Sequence, residues 1–214
     1  MPTRNTTKGA RTRGDILRIA ADFATVDGLD GLSIGRLANE LGMSKSGLFA
    51  HFGSKESLQL ATIEEARQRY VQEVITPALA SGSGMIRLLA LCEAFFSYIE
   101  RGVFPGGCFF ASAMAEFAAK EPSRSRDLIA ECQQQWMATL ERAAEDARAN
   151  GELRADCDTR QLAFELEGTL LSANWYFHLF QDTTNLKRAR QAVRSRIVSE
   201  ATADHKSPFA SQSS

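Results

Sequence analysis

Between Ser44 and Lys55 the chain carries Ser44, Lys45, Ser46, Gly47, His51 and Lys55, all small, hydroxylated or basic side chains. Such a set can do two things at once. Cations and an imidazole can hold phosphate oxygens, and small side chains let a helix approach base edges in a major groove. No comparable set exists for covalent or metal chemistry. The three histidines, His51, His178 and His205, lie in no metal-ligand spacing with one another. No nucleophile elbow, phosphate-cradling loop or dinucleotide fingerprint is present. Catalytic residues, metal ligands and cofactors are therefore not expected, and the chain does not read as an enzyme.

Two short helices joined by a glycine turn must position this set. Ile34, Leu37, Ala38 and Leu41 recur at helical spacing and give the first helix one buried face, with Ser33 placed to cap it. Gly42 follows the last apolar position, where positive φ costs little. Ser44 caps the second helix, Leu48 and Phe52 form its buried side, and Gly53 ends it. Two helices joined so tightly cross steeply, as in a helix-turn-helix. Upstream, Arg4, Lys8, Arg11 and Arg13 form a basic arm with no acid before Asp15, suited to phosphate or minor-groove contact.

These residues resemble the N-terminal DNA-binding domain of the TetR family of transcriptional regulators. The resemblance runs from Arg11 to Leu60. It rests on Ile19, Ala20, Phe23, Gly28, Ser33, Ile34, Leu37, Ala38, Leu41 and Gly42, then on Ser44, Gly47, Leu48, Phe49, His51, Phe52, Lys55 and Leu58. It implies a DNA-facing set of Arg13, Ser33, Ser44, Lys45, Ser46, Gly47, Phe49, His51 and Lys55. One departure stands out. The position of Phe49 is usually tyrosine in the family, with its hydroxyl on a phosphate; Phe49 keeps the packing and loses that bond.

With 214 residues, 44% of them hydrophobic, the chain can bury a core in a small reading head and one larger body. Residues 1–60 hold eight Lys or Arg against six Asp or Glu, and the remainder seventeen against twenty, so the basic end is the helix-turn-helix end. No apolar run reaches membrane-spanning length and no signal peptide precedes the arm. The cysteines, Cys92, Cys108, Cys132 and Cys157, are scattered, which suits buried free thiols in a cytoplasmic protein.

The expected fold is all-α: an N-terminal helix-turn-helix three-helix domain followed by a larger helical ligand-binding and dimerisation domain. The expected division is 1–54 for DNA binding, with a disordered basic arm over 1–11, then 55–203, and a disordered Ser-rich tail over 204–214. The first helix is expected from about Thr12 to Asp27. A long helix should start after Ser54 and stop near Ile75, ahead of Pro77. Further helices are expected over about 85–101 and 108–119, then from the Ser123 cap to Asn150-Gly151, from the Asp158 cap to about Gln181, and from Thr184 or Asn185 to about Ala201.

The body is rich in large aromatics, and the stretch from Phe95 to Phe117 is apolar on too many faces for a surface helix. It is central, lines a cavity, or meets another subunit. Glu93, Glu116, Gln133, Asn174 and His178 are interleaved with it and need partners wherever they point inward. A small, largely apolar ligand is expected against Phe95, Phe96, Phe110, Met114, Phe117, Trp136, Trp175 and His178; the resemblance implies an inducer site among central helices. Leu166, Leu170, Ala173 and Phe177, with Ala189, Val193 and Ile197, form two amphipathic faces that could close the core or form half of a four-helix bundle with a second copy. A head that reads a palindrome needs a two-fold partner. The function expected is a homodimeric, ligand-responsive repressor on a palindromic double-stranded operator. The alternative is a helical interaction protein with lost or altered DNA binding.

Overall fold

The computed structural model describes residues 4–205, residues 4–10 by their backbone alone. Regular structure among them is helical apart from one isolated antiparallel bridge, Leu153 to Ala201. The helices are α1 (Arg4–Asp27), α2 (Ile34–Glu40), α3 (Lys45–Phe52), α4 (Lys55–Tyr70), α5 (Thr76–Leu79), α6 (Gly84–Glu100), α7 (Phe109–Phe117), α8 (Arg124–Ala149), α9 (Thr159–Phe180) and α10 (Thr184–Glu200). A single π-helical turn, Val71–Ile75, joins α4 to α5. The all-α expectation, with its helix-turn-helix at the N-terminal end, is met.

The helices form two compact units. One holds the residues up to Arg69 together with Phe104–Cys132; the other holds Tyr70–Val103 and the residues from Gln133 on. The expected boundary after residue 54 falls inside the first unit. Polar ties explain why. Arg69 at the end of α4 donates to Asp22 of α1 at 2.7 Å, and Gly106 N donates to Thr25 Oγ1 at 3.0 Å. The first unit's core includes Ile16, Ala20, Leu29, Leu37, Leu48 and Leu58, all 0–1% exposed. In the second unit α6, α9 and α10 pack on one another. Tyr70 stands edge-on to both Tyr98 and Trp136, with ring centroids 5.5 and 5.4 Å apart.

Three expectations are corrected. First, α1 begins at Arg4 rather than near Thr12, so residues 4–11 of the supposed disordered arm are helical. Extending a helix backwards from a packed segment avoids the nucleation cost, and no proline interrupts it. Residues 1–3 lie outside the described residues. Second, Pro77 does not stop the long helix. In the widened turn before it, Thr76 N bonds Val71 O, five residues back, so the ladder loosens just where the proline ring would crowd a regular α-helix. Third, residues 204 and 205 of the expected tail complete a helical turn that starts at residue 203. Thr202 N bonds Glu152 O at 3.0 Å and His205 N bonds Thr202 O at 3.1 Å. Residues 206–214 lie outside the described residues.

Candidate nucleic-acid interface

The reading helix α3 is held by short-range chemistry that its own sequence supplies. Ser33, in extended backbone, caps α2 by accepting from Arg36 N at 3.2 Å. Leu37 and Ala38 are buried. Gly42 turns the chain with φ 60, and Met43 N reaches back to Ala38 O at 2.8 Å. Ser44 caps α3 by accepting from Gly47 N at 3.0 Å, and Leu48 and Phe52 anchor the helix inward. The opposite side of α3 is therefore free to meet a ligand.

That side carries most of the expected DNA-facing set. Ser44, Lys45, Ser46, Phe49 and Lys55 are exposed, and Gly47 and His51 are half-buried. Phe49 is 52% exposed, which is unusual for a phenyl ring within one chain. It lines an open groove with Ile34, Gly35, Lys45, Ser46 and Ala50. The two cap hydroxyls are already engaged as acceptors, and Ser46 Oγ lies 3.2 Å from Ser44 Oγ. Arg13, on α1, lays its guanidinium over the Phe52 ring, 5.1 Å from the centroid. The side chains of Arg4 and Lys8 lie outside the described residues.

Lys55 is not a free cation. Its Nζ bonds Asp30 O at 2.6 Å and Asp30 Oδ1 at 3.2 Å. Lys120 holds the other oxygen, Asp30 Oδ2, at 2.9 Å. The two lysines, Lys120 foremost, lower the Asp30 carboxyl to about 2. Glu116 completes the cluster by accepting from Leu29 N and Asp30 N. Glu116, expected among the possible ligand partners, instead serves the α1–α2 turn, and Asp30 is a member of the cluster that the sequence does not single out. An acid three residues before the Ser33 cap was the available signal.

The remaining predicted residues divide between the units. Phe110, Met114 and Phe117 belong to the first unit; Phe95, Phe96, Trp136, Trp175 and His178 belong to the second. Phe95, Phe96, Phe110, Phe117 and Trp136 are buried, but Trp175 is 50% exposed and faces outward. Several polar groups thought to need a ligand have protein partners. Glu93 pairs with Arg190 at 2.9 Å, and Gln133 Nε2 donates to Glu167 Oε1 at 2.7 Å. Glu167, which the sequence reading missed, is only 8% exposed and also accepts from Trp136 Nε1 at 2.7 Å. Desolvation raises its carboxyl above the usual range. Its position was legible: it follows Ala163 by four residues and precedes Leu170 by three, on the buried stripe of α9.

The dimerisation set is corrected. Leu166, Leu170, Ala173, Ala189, Val193 and Ile197 are buried within the chain, and Phe177 is half-buried. They close the core of their own unit, and a face already used cannot meet a second copy. The outward side of α9 is the unpartnered one. Phe164 (68%), Trp175, Tyr176, Leu179 (75%) and Phe180 are exposed there, and Tyr176 stacks on Phe180 with centroids 5.7 Å apart. No helix among the described residues is long and apolar enough to cross a membrane, and no cluster there could hold a metal ion.

Comparison with known proteins points the same way. Residues 16–62 match the family described as bacterial regulatory proteins, tetR family, and residues 84–193 match the tetracyclin repressor-like C-terminal domain. The HTH-type transcriptional repressor AcnR of Corynebacterium jeikeium is 25% identical over 206 residues, 93% of this chain and 98% of that protein. The HTH-type transcriptional activator FasR of Mycolicibacterium smegmatis is 32% identical over 88 residues, 41% of this chain and 40% of that protein. A TetR transcriptional regulator from Chloroflexus aurantiacus superimposes with a TM-score of 0.84 at 25% identity, covering 91% of this chain and 98% of that one.

Proposed function

The chain belongs to the TetR family of bacterial regulators, and on that premise we propose that it is a ligand-responsive repressor, working as a cytoplasmic homodimer on a palindromic operator. That it is a DNA-binding transcriptional regulator and not an enzyme follows from the family itself. The observation that carries the finer reading is the outward side of α3, where Lys45, Ser46 and Phe49 are exposed and His51 half-buried on a helix fixed by Ser44, Leu48 and Phe52. Lys45, His51 and Lys55 hold phosphates, Lys55 exchanging Asp30 for a phosphate oxygen, while Ser44, Ser46 and Gly47 approach bases. Arg13 and Ser33 flank the contact, and Phe49 offers an apolar ring where no hydroxyl is available.

Repression is favoured by AcnR, the repressor matched along nearly the whole chain. A homodimer is favoured by the exposed apolar side of α9, which replaces the buried set first expected. Two heads then meet half-sites about 34–36 Å apart, one helical turn. A small, largely apolar inducer is favoured by the aromatic interior, with Phe95, Phe96, Trp136 and His178 as its contacts in the second unit. His178 Nε2 is buried with no hydrogen-bond partner among the described residues, and burial lowers its pKa, so a neutral imidazole is ready for one polar group. The inducer releases DNA by binding the DNA-incompetent state more tightly.

Selection of bound fragments from randomised duplexes, followed by fluorescence anisotropy across a salt series, tests this. We expect an inverted-repeat sequence and a steep fall in affinity with salt. The triple variant Lys45→Ala, His51→Ala, Lys55→Ala should flatten the log–log slope by about 2, one per lysine. No duplex bound at low salt would sink the reading. A triple variant that binds like the wild type would sink the site, and a monomer in sedimentation would sink the paired heads.

A further inference from the structure

The α1–α2 turn is held by a residue far away in sequence. Glu116, on α7, accepts from two successive amides of that turn, Leu29 N at 2.7 Å and Asp30 N at 2.8 Å. Gly28, just before them, has φ 83, and a Cβ there would stand 3.1 Å from Glu116 Oε2. Glycine thus makes the turn and leaves room for the carboxylate. Lys120, one helical turn beyond Glu116 in sequence, bonds Glu116 Oε1 at 3.0 Å and Asp30 Oδ2 at 2.9 Å. Gln59 of α4 closes the other side by donating to Leu29 O at 3.2 Å.

Two charge-assisted bonds from one carboxylate to adjacent amides fix a turn's orientation as well as its distance. Ser33 caps α2 three residues after Asp30, and Gly42 ties α2 to α3. A shift of the turn is therefore passed to the reading helix. Contacts to base edges demand close placement, whereas contacts to phosphates tolerate displacement.

We propose that Glu116 is a positioning residue for sequence-specific DNA reading: through the Leu29 and Asp30 amides it sets where α2 and α3 stand. This deepens the regulator reading above and rests on it. Its role is separable from that of Lys45 and Lys55, which act on phosphates whatever the sequence.

The test compares affinity for the duplex enriched by selection with affinity for a scrambled duplex of equal length. Glu116→Gln keeps the side chain's length and removes the charge that holds both amides and Lys120. Glu116→Asp keeps the charge and withdraws the oxygens by one methylene; it decides the matter if the glutamine variant does not fold. The expected result is a fall of about tenfold in the ratio of specific to non-specific affinity, the size of one lost base contact. Non-specific affinity and the salt slope should stay near those of the wild type. Lys120→Met, which leaves both amide bonds, should lower the ratio by less. An unchanged ratio, or an equal loss on both duplexes, overturns the proposal while the regulator reading stands. A wild type with no preference between the duplexes overturns both.

Discussion

The α1–α2 corner of the first unit and the core of the second each turn on a carboxylate that accepts from two N–H donors. At the corner, Glu116 meets two backbone amides, and cations stand close: Lys120 bonds both Glu116 and Asp30, and Lys55 bonds Asp30. In the second unit, Glu167 meets the indole of Trp136 and the amide of Gln133, both neutral, and is almost wholly out of water. The titration follows the surroundings. Lysines pull Asp30 down to about 2, and desolvation pushes Glu167 up. A head that must meet phosphate keeps its charges in water and in exchangeable pairs. A body that packs aromatics keeps its carboxyl bonded to neutral donors and out of water.

The difference can be broken at its larger end first. Glu167→Ala leaves the Trp136 and Gln133 donors unpaired around a new void, and should destabilise the chain by about 2–4 kcal/mol in chemical denaturation. Operator preference per folded molecule should not change, because the head keeps its ties. A milder change sharpens the contrast. Glu167→Gln removes the titration while Gln133 can turn its amide to match. An acid raised on folding contributes stability that is fully present below its ordinary value, 4.5, and is lost as pH rises through the raised one. The wild-type thermal midpoint should therefore fall, relative to Glu167→Gln, as pH rises above 4.5. Equal pH profiles would show that Glu167 does not carry the predicted titration.

The smallest effect lies at the corner and has the opposite sign. Asp30 is lowered, so its contribution is present above 3.8 and lost as pH falls toward 2. Asp30→Asn should flatten the acid limb of the stability profile, by a small amount because the pair is half-exposed. A circular-dichroism melt series from pH 5 down to 2 would register it.

The head was legible because its determinants are local. Caps at Ser33 and Ser44, the turn at Gly42 and the anchors Leu48 and Phe52 all act within a few residues. The body was legible as helices but not as surfaces. Spacing marked Leu166 and Leu170 as one face of α9 without saying what covers it, and the covering proved to be the chain itself. The outward stripe of Phe164, Trp175 and Leu179 runs on the same helix, so periodicity alone could not separate it from the core. Glu116 was visible only as a polar residue among aromatics, since its partners lie 86 and 87 residues earlier. Pro77 misled because the rule against proline in helices assumes an α-helical ladder, and here the ladder widens first.

Cys92, Cys108, Cys132 and Cys157 are buried thiols, none of them in a disulfide. Desolvation raises the thiols of Cys92, Cys132 (to about 11) and Cys157, so they stay protonated at neutral pH and sheltered from electrophiles. A maleimide dye should therefore label the four native thiols of the folded chain only slowly. One thiol introduced on the exposed side of α9, as in Ser172→Cys, would then be a unique handle. A fluorophore there would watch that surface become covered or stay bare, without any native residue being removed first.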